Sequence, residues 1–245
     1  MCRPTYSRRP RWCQLLLLCA LVLVYLYNFR VLDLDRVPYL RGVSRNLYAF
    51  LNLGLAGLVM ATVSVRFVFP AVSAEGQAFW IIRTAPIRLR DFLWSKFWTG
   101  LFPVFVLTET LIVAANELMG VDPFLKVETA VAIGFMSFAL VGLAAGLGAR
   151  YPRFSADNAT QVAGSYGGVT FMIVAVCYVL LTIALLGWPS MVYLFSRVRD
   201  VPLSASQLCL MAGCFATAIA SSLATWWYSM RFGVRALEQM DRTPA

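Results

Sequence analysis

The stretch that decides the fold runs from residue 129 to residue 149 and reads TAVAIGFMSFALVGLAAGLGA. It contains no charged residue, and its length is close to the ~20 residues that an α-helix needs to cross the hydrocarbon core of a membrane. Its apolar residues do not alternate with polar ones, as they would in a strand of a membrane barrel. Because lipid offers no partner for free backbone groups, the stretch is predicted to be a membrane-spanning helix.

Five further apolar stretches flank this one along the chain, at residues 12–29, 47–65, 97–115, 169–186 and 208–230; all are free of charge except 97–115, which contains one Glu. The whole chain is 60% hydrophobic and 13% charged, with a mean hydropathy of +0.72. Soluble domains are about 45–50% apolar and about 25% charged. The sequence therefore predicts an all-α polytopic membrane bundle of six transmembrane helices that forms a single domain over residues 1–245.

The cations are distributed unevenly between the two predicted sides of the membrane. Fourteen of the 21 Lys and Arg residues lie in the two tails and in the second and fourth connectors, and seven lie on the other side. Positive residues favour the cytoplasmic side, so both termini are predicted to be cytoplasmic in a multi-pass protein of the inner (plasma) membrane. This topology accounts for the net charge of +9, and we expect no nucleic-acid partner.

The residue types that are missing exclude several kinds of chemistry. The chain has no histidine, which excludes a Ser-His hydrolase, a His-ligated haem and most catalytic zinc sites. It also lacks the G-x-x-x-x-G-K-[ST] phosphate loop, so the chain is not expected to hydrolyse ATP by that route. We assign no catalytic residue, no metal site and no cofactor to this chain.

Polar and small residues within the predicted spans are candidates for function or for packing. Glu109 and Asn52 are candidate pathway residues, because polar groups within the membrane are costly. For Glu109 a structural role is an equal alternative, since Thr108 and Thr110 adjoin it. Gly142 and Gly146 form a G-x-x-x-G pair, which predicts close helix packing within the bundle or in a dimer.

The second connector, with the first residue of the following span, is unusually polar and broken, and reads SAEGQAFWIIRTAPIRLRDFLWSKF at residues 73–97. Helical spacing of Leu89, Phe92 and Phe97 predicts an amphipathic interfacial helix over 89–97. Pro86 should separate it from the preceding segment, while Glu75 is expected to cap a helix or to pair with an arginine. The result is a helix–break–helix elbow on the cytoplasmic surface. A basic, aromatic loop that rests on lipid headgroups is the simpler alternative.

The elbow carries a resemblance to a known family. The Glu75-Gly76 pair, TAPI at residues 84–87 and a helix ending near Lys96 resemble the coupling-helix pattern of ABC type 2 exporter permeases. The fourth connector, residues 147–168, is similar to a segment of ABC exporter permeases that are longer than this chain, so the chain resembles their C-terminal half. The residues that would couple the elbow to an ATPase are Glu75, Gly76, Arg83, Pro86 and Lys96, and those matched in the fourth connector include Tyr151, Pro152, Asn158 and Gln161.

The resemblance implies a function for the whole chain. It implies a permease subunit of an ATP-driven exporter, in which ATP and Mg²⁺ are bound by a separate ABC ATPase subunit. The partners would be that ATPase, a second permease half or a second copy of this chain, and membrane lipid. The substrate is not readable from the sequence. Two alternatives stay open, namely an integral membrane enzyme and an assembly or scaffold protein without transport activity.

Overall fold

The computed structural model describes residues 41–84, 86, 88–154, 159–199 and 204–242 of the 245-residue chain. These residues form helices and short connections, with no strand among them. The α-helices are Arg41–Phe67 (α1), Phe79–Thr84 (α2), Leu89–Leu118 (α3), Pro123–Arg150 (α4), Ala159–Ala163 (α5), Tyr166–Val198 (α6) and Ala205–Arg242 (α7). Two 3-10 segments, Phe69–Ala71 and Ser73–Ala78, join α1 to α2. The all-α prediction is confirmed.

Helix α4 lies at the centre of the bundle and packs against α1, α3, α6 and α7. Its contact with α7 is close because small residues face each other. A Cβ atom added to Gly146 would lie 2.3 Å from the backbone oxygen of Ser229, and one added to Gly142 would lie 2.7 Å from the ring of Trp226. Within the chain, these two glycines therefore lie at the place where α4 and α7 approach each other.

Among the described residues, five helical segments are long and apolar enough to cross a membrane, namely α1 with the 3-10 segments that follow it, α3, α4, α6 and α7. They correspond to the second through sixth predicted spans. The first predicted span, residues 12–29, lies outside the described residues, so the count of six is not confirmed. The helices also extend beyond the predicted apolar runs, because hydropathy reports where side chains are apolar and not where helical hydrogen bonding ends.

The interfacial helix predicted over residues 89–97 is not a separate element, which corrects the sequence interpretation. Helix α3 starts at Leu89 and continues to Leu118 without a break. The reason is that Leu93, Phe97 and Leu101 are all buried in the same core, so one apolar face runs from the predicted connector into the predicted span. Arg88 precedes the helix with an extended backbone (φ −75°, ψ 132°).

The helices run alternately up and down, which gives the bundle two ends. The elbow end contains residues 68–92, the connection between α4 and α6, and the C-terminal end of α7. The opposite end contains the turn from α3 to α4, the end of α6 and the start of α7. At that turn Gly120 has a φ of 57°, a conformation that glycine adopts at little cost. Asp122 then caps α4 by accepting a hydrogen bond from the Phe124 backbone N–H at 3.1 Å.

Candidate functional site

The chain at the elbow is shaped by two local breaks. Gly76 has φ 52° and ψ −133° within the 3-10 segment, a left-handed conformation that would strain any residue with a side chain. Pro86 lies in a bend between α2, which ends at Thr84, and α3, which begins at Leu89. Pro has no backbone N–H to donate, so the gap between the two helices falls where the sequence places the proline.

An ion pair holds the elbow to α3. The Lys96 ammonium binds the Glu75 carboxylate, and both side chains are 28% exposed. Lys96 also lies 5.4 Å from the centre of the Phe92 ring. The sequence interpretation gave Glu75 a capping role or an arginine partner, and the structure instead pairs it with a lysine 21 residues later. The pair brings together two of the residues proposed for coupling.

The connection after α4 packs directly on the elbow. The rings of Phe79 and Phe154 stack with centroids 4.7 Å apart and planes 21° apart. The backbone N–H of Arg153 donates a hydrogen bond to the Ser73 hydroxyl at 3.0 Å. We call residues 73–84 together with residues 151–154 the connector platform. The platform joins two connectors that are about 80 residues apart in the sequence into one surface at the elbow end.

The remaining predicted connector residues lie around this platform. The ring of Tyr151 meets the ring of Tyr166 edge-on at 5.9 Å, Pro152 is partly exposed, and Gln161 is exposed on α5. Arg83 lies in α2, and its side chain is outside the described part of the structure. Asn158 also lies outside the described residues. The structure therefore brings together Glu75, Lys96 and the region of Tyr151, and α5, which carries Gln161, packs against the Ser73–Ala78 segment.

The candidate pathway residues lie apart from each other and from the platform. Asn52 is fully buried in α1. Glu109 is partly buried in α3, with its Oε1 atom 3.6 Å from the position of a Cβ atom added to Gly134 of α4. The hydroxyls of Thr108 and Thr110 donate to carbonyls of their own helix, so these neighbours do not hold the carboxylate. Among the described residues, no group of three His, Cys, Asp or Glu side chains could hold a metal ion.

Glu128 is a partly buried acidic residue that lies directly before the predicted span at residues 129–149. It lies in the second turn of α4, and its Oε1 atom accepts a hydrogen bond from the Ser190 hydroxyl at 2.5 Å. It borders an apolar cavity of about 230 Å³ between α4, α6 and α7. The sequence did contain a signal for this position. Glu128 directly precedes the apolar run that starts at residue 129, and one more helical turn before that run places its carboxylate within the bundle.

Comparison with protein families gives a match over residues 5–242, to the family described as "Putative ATP-binding cassette". The match covers nearly all of the chain. The chain belongs to this family. Neither the curated proteins nor the solved structures contain a match to it.

The family match corrects the exporter-permease interpretation. The description names an ATP-binding cassette, which is the ATPase kind of component and not a membrane permease. The sequence pattern of the elbow was therefore read too specifically, because a short pattern of Glu-Gly, Pro and Lys also fits other membrane-facing connectors. The match supports the relation to ABC transporters in general, and it gives no better support to the membrane-enzyme or scaffold alternatives.

Proposed function

We propose that this chain is a membrane-embedded component of an ATP-binding cassette system. The observation that carries the proposal is the family match over residues 5–242, which includes all five helices of membrane-spanning length. The same residues that relate the chain to the cassette family are thus the residues that favour a membrane location. This proposal does not assign a transported substrate.

The nucleotide is bound by a partner subunit in this proposal. ATP held by a phosphate loop requires glycines followed by Lys and Ser or Thr, and neither Lys96 nor Lys126 follows a glycine. With no histidine and no such loop in the chain, ATP and Mg²⁺ are placed on a separate ATPase subunit. The chain itself is then not an enzyme.

The connector platform is the proposed contact with that subunit. It is supported by the Glu75–Lys96 ion pair, which ties the surface to α3, and by the stack of Phe79 on Phe154, which holds its two segments together. A surface that is fixed in this way can hold a bound subunit in one position.

Association with a nucleotide-binding partner tests the proposal. The full chain, tagged and purified in mild detergent from its native membranes, should carry a second protein that is labelled by photoreactive 8-azido-ATP. The chain itself should stay unlabelled. The double variant Glu75→Gln/Phe154→Ala should retain markedly less of the labelled protein, because both attachments of the platform are weakened.

A matched control is Glu117→Gln/Phe102→Ala, which removes the same groups from exposed positions of α3 outside the platform and should leave the association unchanged. Labelling of this chain in the absence of any second protein would overturn the assignment of ATP to a partner. Equal association of both double variants would overturn the role of the platform alone.

The membrane orientation forms a further part of the proposal, with the elbow end and both termini in the cytoplasm. It is supported by the excess of cations in the tails and in the second and fourth connectors. Reporter fusions after residues 85, 156 and 240 should report the cytoplasm, and fusions after residues 122 and 200 the outer side. An outer location for residue 85 would remove the platform from any cytoplasmic ATPase.

A further inference from the structure

A cavity of about 210 Å³ lies between α3 and α7 at the elbow end of the bundle. Arginine and tryptophan side chains dominate its lining, and they come from both helices. They are Arg90 and Trp94 of α3, and Trp226, Trp227, Arg231 and Arg235 of α7. The spacing of four residues from Arg90 to Trp94, and from Trp227 through Arg231 to Arg235, places each set on one face of its helix.

In the described part of the structure, no carboxylate neutralises the positive charge of the cavity. Arg90, Arg231 and Arg235 are exposed and none of the three forms an ion pair with a described residue. The described side chains that line the cavity include no acidic one. Like charges four residues apart on a helix repel each other, so an anion bound between Arg231 and Arg235 would relieve an unfavourable interaction.

The tryptophans give the cavity a second property. The guanidinium of Arg231 lies 4.2 Å from the centre of the Trp227 ring, which orients its charge. Trp94 meets Trp226 edge-on at 5.7 Å. Trp226 itself packs into the bundle, with its Cδ1 atom 2.7 Å from the position of a Cβ atom added to Gly142 of α4. The tryptophans thus give the cavity an aromatic wall beside its arginines.

We propose that this cavity binds an organic phosphate, with the phosphate on the arginines and the apolar part of the ligand against the tryptophans. Guanidinium groups match phosphate geometry through paired hydrogen bonds. Tryptophan rings favour the boundary between apolar and aqueous surroundings. A phospholipid headgroup and a soluble organic phosphate share this chemistry. The site is independent of the proposed ATPase partner, so each can fail without the other.

Lipid binding by the full chain, purified in detergent and followed by native mass spectrometry, tests the site. The probes are dioleoyl phosphatidic acid, the uncharged dioleoylglycerol, and soluble glycerol 3-phosphate as a competitor. Phosphatidic acid should bind the wild type about tenfold more tightly than the Arg231→Gln/Arg235→Gln variant, as expected for lost charge-assisted hydrogen bonds. Dioleoylglycerol should bind both proteins equally. Competition by glycerol 3-phosphate would indicate a soluble ligand, and its absence a lipid headgroup.

The matched control is Arg66→Gln/Arg153→Gln, which removes two exposed, unpaired arginines of the elbow end that do not line the cavity. It should bind phosphatidic acid within about twofold of the wild type. Equal loss in both arginine pairs, or no loss in Arg231→Gln/Arg235→Gln, would overturn the proposal.

Discussion

The two ends of the helix bundle differ in how many of their described cations form ion pairs. At the opposite end, Lys126 pairs with Glu117 at 2.8 Å and Arg197 pairs with Asp122 at 2.7 Å. At the elbow end, Lys96 has its carboxylate partner, whereas several described arginines have none; they are Arg66, Arg88, Arg90, Arg153, Arg231 and Arg235. Among the described residues, the opposite end pairs Lys126 and Arg197 with carboxylates and leaves Arg199 over the Phe195 ring, whereas most cations of the elbow end have no carboxylate partner.

The packing of α4 against α7 also differs between the two ends. Near the elbow end, α4 and α7 touch through Gly146, Ser229 and Gly233. Towards the opposite end they separate around the cavity that Glu128 borders. Close packing of α4 on α7 next to the platform, with looser packing towards the opposite end, suits a surface that has to stay in place while a partner is bound.

The largest expected effect on stability comes from disrupting the close contact between α4 and α7 near the elbow end. Gly146→Leu should reduce the free energy of unfolding by about 3 kcal/mol, because its side chain would meet the α7 backbone. Thermal unfolding in detergent measures the effect. Gly213→Leu on α7 is the control, since a Cβ atom there meets no atom within 4 Å. Similar melting temperatures for the two variants would contradict the difference in packing between the ends.

The next effect tests the attachment of the two connectors to each other. Phe154→Ala removes the stack on Phe79 and should cost about 2 kcal/mol of unfolding free energy, less than the loss of a fully buried ring. Hydrogen exchange should increase in residues 73–84. Phe102→Ala, at a ring that is 73% exposed, should change neither quantity. Unchanged exchange in Phe154→Ala would show that the platform is not held by this stack.

A smaller effect compares one ion pair from each end. Glu75→Gln should cost about 1 kcal/mol, because the half-buried Lys96 ammonium loses its partner. Glu117→Gln should cost less than about 0.5 kcal/mol, since Glu117 is 65% exposed. Denaturation by detergent mixtures with matched ionic strength can resolve the difference. A larger loss of unfolding free energy in Glu117→Gln than in Glu75→Gln would contradict this difference between the two ends.

The smallest effect concerns the cap at the opposite end. Asp122→Asn keeps an oxygen that accepts from the Phe124 backbone N–H but weakens the pair with Arg197, so a cost of about 0.5 kcal/mol is expected. Asp122→Ala loses both interactions and should cost about 1 kcal/mol more. Equal melting temperatures for the two variants would show that the cap contributes nothing.

The sequence predicted the helices well because the signal is local. A run near 20 residues long with no charge or a single one can satisfy its backbone in lipid only as a helix, and this reasoning located the five long helices of the described residues. It also located the break at Pro86, where a donor is missing. It failed over residues 89–97, where a boundary based on polarity divided one continuous helix.

Contacts between distant segments were beyond the reach of these local rules. Lys96 as the partner of Glu75 follows from the fold of the elbow, since nothing in the spacing of 21 residues favours it over the nearby arginines. The stack of Phe79 on Phe154 and the entry of Glu128 into the bundle have the same origin. The resemblance to exporter permeases was also based on a short pattern, and the family match over residues 5–242 corrected it.

The sequence by itself determined an all-helical chain with membrane-length apolar segments, a broken connector and an excess of cations on one side. Each of these properties depends on composition or on residues within a few turns of each other. The tertiary structure decided which of the described charged side chains form ion pairs and which do not. The arginines of α3 and α7 are about 140 residues apart in the sequence, and they share one cavity because both helices pack on α4.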